Sequence, residues 1–142
     1  MILRSFGKFY GLAGLRLGFV LGCEADVAAL ADIAGPWPVS GAAIEIGRRA
    51  LLDRSWAQAT RARLARESAR LDQLAEGAGW KLIGGTPLFR LYGAGDAAAA
   101  QERLARANIW SRIFDGNPGW LRLGIPGDET EWDRLAAVLS AR

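Results

Sequence analysis

Residues 35–142 predict an α+β fold, with helices packed on a small mixed or antiparallel sheet, and three observations carry that reading. Apolar residues recur at helical spacing from Ile44 to Leu74, the period changes abruptly at Trp80, and two pairs of short strands then flank one alanine-rich helix. Residues 1–34 have another character: a glycine-rich loop, one strand and a helix that cannot close a core alone. Two domains are therefore expected, 1–34 and 35–142.

Taken in order, Gly11, Gly14 and Gly18 lead into Leu17–Gly22, a short apolar run closed by glycine that reads as a buried strand. Glu24 to Ala34 has a helical composition and stops at Gly35-Pro36-Trp37-Pro38, where two prolines impose an extended connection. Ser40 can cap the next helix. Ile44, Leu51, Leu52 and Trp56 open its apolar face, and Ala57, Thr60, Leu64, Leu71 and Leu74 continue it to Gly77 and Gly79. A break between Asp53 and Ser55 would divide it in two.

Residues 80–83 and 88–92 read as strands around Gly84-Gly85-Thr86-Pro87. Asp96 starts a helix through Arg106 with Leu104 facing inwards. Residues 109–114 and 120–125 form the third and fourth strands, joined by Asp115-Gly116-Asn117-Pro118-Gly119. Asp128 followed by Glu131 forms a capping-box start for a last helix that buries Trp132, Leu135 and Leu139.

Composition removes several chemistries. The chain of 142 residues has no histidine, so a Ser-His-Asp triad, a Cys-His pair and most zinc sites cannot be built from it, and no metal site is expected. Cys23 is the only cysteine, which excludes an internal disulfide and suggests a cytoplasmic setting. No run approaches the apolar length of a membrane span, so no membrane partner is expected. The densest basic run, residues 61–70, is interleaved with alanine and leucine at helical spacing; it reads as the wet face of a helix and not as a nucleic-acid surface.

Sixteen of the eighteen basic residues are arginine, leaving Lys8 and Lys81 as the only lysines. An ammonium can lose its proton and attack an aldehyde, which a guanidinium cannot readily do. Lys8 lies among glycines and aromatics, with Arg16 eight residues on. Burial beside Arg16, Phe6, Phe9 and Tyr10 would push its amine towards the neutral form. Arg122 sits between Leu121 and Leu123 on a strand, so alternation places it on the opposite face from them.

The run Ser5-Phe6-Gly7-Lys8-Phe9-Tyr10-Gly11-Leu12-Ala13-Gly14-Leu15-Arg16-Leu17-Gly18-Phe19 resembles the lysine segment of the class I/II aminotransferase family of fold-type I pyridoxal-phosphate enzymes. The resemblance implies an α/β family fold, of which this chain would be the C-terminal part. It also implies a lysine that condenses with pyridoxal phosphate, here Lys8, with the cofactor phosphate held by Ser5 and Arg16. Gly7 stands where the family usually has a second hydroxyl residue. Trp120–Ile125 resembles the strand whose arginine grips the substrate α-carboxylate, a role that falls on Arg122. Arg112 would meet a substrate phosphate or serve as a rim arginine.

Within the family, the likeness favours members that remove CO2 from L-threonine O-3-phosphate, then those that transaminate histidinol phosphate. A small phosphorylated amino-acid substrate and a homodimeric full-length enzyme follow from it, with no nucleic-acid partner. The groups facing the pyridine nitrogen, the phenolic oxygen and the ring would come from residues preceding Met1. The chain alone would then be an incomplete site, and an inert small-domain fragment is the third reading.

Overall fold

A computed structural model describes residues 1–141. They form two compact units, which divide between Ala57 and Gln58.

In the first unit, β1 (Ile2–Ser5) pairs antiparallel with β2 (Gly18–Leu21), from Ile2 opposite Leu21 to Ser5 opposite Gly18. The expected strand is present, but it has a partner in the supposed loop, and both strands are exposed along their length instead of buried. A two-stranded ribbon has no third element of its own to cover it. The helix α1 (Glu24–Ala34) has Glu24 and Asp26 in its first turn, where the helix dipole favours them, and ends at Gly35 with φ 68°. None of its residues is buried.

Ser40 caps α2 (Gly41–Leu52), its Oγ accepting from the Ala43 amide at 3.2 Å. Asp53 breaks the helical run, and its Oδ1 accepts from the Trp56 amide at 2.9 Å to start α3 (Arg54–Gly77). Ile44, Leu51, Leu52 and Trp56 do not form the expected buried face; all four are exposed. α2 turns small residues inward instead. Its buried positions are Ala43 and Gly47, one turn apart, and the small core they close contains Phe6 and Leu17.

In the second unit, β3 (Lys81–Thr86), β4 (Phe89–Gly93), β5 (Arg112–Phe114) and β6 (Asn117–Gly124) form an antiparallel sheet of order β3-β4-β6-β5. The helices α3, α4 (Ala97–Arg106) and α5 (Glu129–Ser140) supply the rest of its core: Leu71, Leu104, Trp132, Leu135 and Leu139 meet Tyr92, Leu121 and Leu123. Asp96 and Asp128 cap α4 and α5 through the Ala99 and Glu131 amides, each at 2.9 Å. Glu131 reaches back to the Gly127 amide at 2.6 Å, one residue earlier than a standard capping box.

Three strand boundaries differ from expectation by three residues each, the others by no more than one. β3 runs on to Thr86, past an irregularity between Leu82 and Gly84. Gly85 permits this: its φ of 144° and the nearness of the Phe89 carbonyl leave no space for a side chain. β5 starts at Arg112 and not at Ile109, because the Ile109 amide bonds the Leu104 carbonyl at 2.9 Å and is used to end α4. β6 starts at Asn117 because Asp115-Gly116 suffices as the turn.

One polar cluster ties α3 to the sheet. Asp72 takes two bonds from Arg90, at 2.9 and 2.6 Å, and one from the Tyr92 hydroxyl at 2.7 Å. Burial raises the Asp72 carboxyl, but the bonds and charge of Arg90 and the Tyr92 bond outweigh it and hold it below its usual value. A carboxyl depressed in the folded state stabilises above its unfolded pKa, and that contribution is lost as pH falls through the folded value. Asp72→Asn is expected to cost about 2–4 kcal/mol at neutral pH. Its disadvantage should shrink as the medium is acidified below the usual aspartate range, as read by urea titration of both proteins across pH.

Candidate active site

The lysine loop is shaped by its own backbone. Phe6 is buried at the end of β1; its amide donates to the Leu17 carbonyl at 3.1 Å and its carbonyl accepts from the Leu12 amide at 2.9 Å. Between these ties the Gly11 amide bonds the Lys8 carbonyl at 3.0 Å, with Gly11 at φ 68°. Residues 13–15 make one short helical turn that ends on Arg16 in the left-handed region, φ 54°. The loop thus returns Arg16 and Gly18 alongside Ser5 and Gly7.

These residues, with Ala13 and Leu17, line a cleft of about 230 Å³. Ser5 Oγ accepts from the Gly7 amide at 3.1 Å, which leaves its hydroxyl proton for another acceptor. The Arg16 guanidinium rests on the Ala13 carbonyl at 3.3 Å and is exposed. One hydroxyl donor and one fixed cation, set around glycine backbone, suit a phosphate dianion. The donor set therefore fits the phosphate end of pyridoxal phosphate.

Lys8 does not line this cleft, and it is exposed, so the burial expected of it is absent. The aromatics that were to enclose it stack on one another instead: Phe6 on Tyr10 with centroids 4.6 Å apart, and Tyr10 on Trp56 at 5.6 Å. Phe9 meets the same Trp56 edge-on at 5.5 Å. Helical spacing put Trp56 on the apolar face of a helix and gave no sign of this cluster, since nothing local links residue 56 to residues 9 and 10.

The second unit carries its own cleft, of about 680 Å³, lined by Arg112, Arg122, Phe89, Gln101 and Trp110 among others. Arg122 and Arg112 are direct partners across β6 and β5. Leu121 and Leu123 are buried on the other face of the sheet, as alternation requires. Gln101 Nε2 holds the Ser111 carbonyl at 3.0 Å, fastening the edge strand to α4. The structure thus groups Ser5 with Arg16 in one unit, and Arg112 with Arg122 in the other.

The family model for class I and II aminotransferases matches residues 1–139. A threonine-phosphate decarboxylase from Pseudomonas aeruginosa is 45% identical over 139 residues, covering 98% of this chain and 42% of the relative. Another from Sinorhizobium sp. is 47% identical over 140 residues, 99% of this chain and 41% of the relative. Among solved structures, histidinol-phosphate aminotransferase from Sinorhizobium meliloti in complex with pyridoxal-5'-phosphate superposes with a TM-score of 0.84 at 26% identity, covering 97% of this chain and 39% of that one. The chain spans about two fifths of the length of the curated relatives it matches.

Backbone clearance sets which loop glycines can change. A Cβ on Gly7 would make only ordinary contacts, 3.4 Å from Ala13 Cα and 3.5 Å from Ser5 Oγ, whereas one on Gly18 would lie 2.9 Å from the Arg4 carbonyl oxygen. Gly18→Ala is expected to cost about 1–3 kcal/mol, since backbone must move to admit it. Gly7→Ala should leave the thermal midpoint close to that of the parent, as differential scanning fluorimetry would read.

Proposed function

The chain belongs to the class I and II aminotransferase family, and from that premise we propose that its residues form the lysine segment and small domain of a pyridoxal-phosphate-dependent decarboxylase acting on L-threonine O-3-phosphate. The observation that carries this reading is the 45% and 47% identity, across nearly the whole chain, to two threonine-phosphate decarboxylases. Residues 1–34 are assigned to the cofactor-binding domain and 35–142 to the small domain. The working enzyme is a cytoplasmic homodimer.

When bound, pyridoxal phosphate supplies the electron sink that accepts the bonding pair released at the substrate Cα. Lys8 provides the primary amine that attaches the cofactor and that holds or delivers a proton at Nζ. Ser5 and Arg16 hold the cofactor phosphate, and the absence of a hydroxyl at Gly7 leaves that grip to fewer side-chain donors. Arg122 takes the substrate carboxylate and Arg112 the substrate phosphate. No residue of this chain is assigned to the pyridine ring, and the chain spans about two fifths of the relatives' length, so the activity is tested with the remaining length supplied.

Transamination of a phosphorylated amino compound is the second reading, supported by the likeness to histidinol-phosphate aminotransferase. A chimaera in which this chain replaces its matching segment in the Pseudomonas relative separates the two. CO2 release from L-threonine O-3-phosphate without a keto-acid acceptor is expected; consumption that depends on such an acceptor would favour the second reading. A visible absorbance band from added cofactor that survives in Lys8→Ala would count against both. Arg16→Ala should weaken cofactor affinity roughly ten- to a hundredfold, the worth of a charge-assisted bond, as measured by equilibrium dialysis of that chimaera.

A further inference from the structure

Arg112 and Arg122 face each other directly across the β5–β6 ladder. Like charges so placed repel. Several other arginines are paired with acids, Arg90 with Asp72, Arg63 with Glu67, Arg106 with Glu102, Arg48 and Arg49 with Glu45. Arg112 and Arg122 have no carboxylate partner among the described residues. Each lies instead over a phenylalanine, Arg122 Cζ at 4.6 Å from the Phe89 centroid and Arg112 Cζ at 5.2 Å from that of Phe114.

A guanidinium laid on a ring is attracted through its flat face, while its N–H donors stay in its own plane. Arg70 shows the completed arrangement within this protein. Its Cζ lies 4.4 Å over the Trp132 ring, and its two terminal nitrogens grip Glu129 at 2.8 and 2.9 Å. Arg122 over Phe89 is the same arrangement without the acid, and it opens on a cleft that Phe89 itself helps to line. A ring seat fixes the guanidinium without spending its charge, whereas an acidic seat would leave little charge for a ligand.

We infer that Phe89 is the positioning residue for Arg122, and Phe114 for Arg112, each ring holding its guanidinium with the donor edge open to a carboxylate or phosphate ligand. This rests on the reading of the cleft as the substrate's anion end, and it adds the residues that orient the two arginines. The test uses the whole chain, labelled with ¹⁵N, and follows the Arg122 and Arg112 Nε–Hε resonances during titration with acetate and with inorganic phosphate. Phe89→Leu should displace the Arg122 resonance as the ring current is lost and weaken binding at that arginine about three- to thirtyfold. Phe89→Tyr, which keeps the ring, should restore both, and thermal midpoints should not follow the order of affinities.

Unchanged affinity in Phe89→Leu, equal impairment in Phe89→Tyr, or a parent chain with no saturable response at Arg122 would each overturn the inference. Phe89-dependent binding beside a chimaera inactive on L-threonine O-3-phosphate would support the inference while removing the assigned substrate. An active chimaera with no Phe89 effect at Arg122 would do the reverse.

Discussion

Alternation along β6 governs the second unit. Leu121 and Leu123 must enter the core, and both are buried. A strand with period two then has no choice about Arg122, which is carried to the other face. A slip of one residue would bury the guanidinium and expose both leucines, so the leucines fix the arginine's direction more firmly than any contact it makes. Pairing with β4 and β5 on its two sides extends that constraint, putting Leu91 and Arg112 opposite Arg122. The helices contribute to the same end, because the Asp72–Arg90–Tyr92 cluster fastens α3 to the face of β4 that points away from Phe89.

The first unit obeys a weaker constraint. Its core is small, and what organises the loop is a set of backbone bonds around buried Phe6 and Leu17. That suffices to bring Ser5 and Arg16 to one cleft. It does not enclose Lys8, because enclosure requires apolar surface on several sides and the nearby rings are spent on one another. The phosphate end of the proposed site is therefore a local property of the loop, and the environment of the Lys8 amine is not.

What the sequence disclosed follows this difference between local and distant causes. Ser40, Asp96 and Asp128 were legible as helix starts because a cap acts within three residues, and the structure shows each bond. Trp132, Leu135 and Leu139 were legible from helical spacing. Ile109 was misread as strand because its amide is claimed by a carbonyl of the preceding helix, a competition that strand propensity does not reveal. β1 was missed because a short ribbon strand carries no alternation to detect. Phe89 was missed for a related reason: a ring reaches Arg122 only through cross-strand register, and residues 89 and 122 have no sequence relation. The spacing of Ser5, Lys8 and Arg16 singled these residues out as candidates, but did not tell how far each would be enclosed.

Arg112 has a second consequence, which concerns encounters between molecules. β5 and β3 are the edges of the sheet, each with a free side along which another strand can add. β3 is interrupted by its irregularity near Gly84 and carries Lys81, while β5 is only three residues long and begins with Arg112. Short length and fixed charge both discourage strand addition. The residue assigned to a ligand thus also guards an edge, so its replacement by an apolar side chain removes a barrier to sheet-to-sheet association along with a binding group.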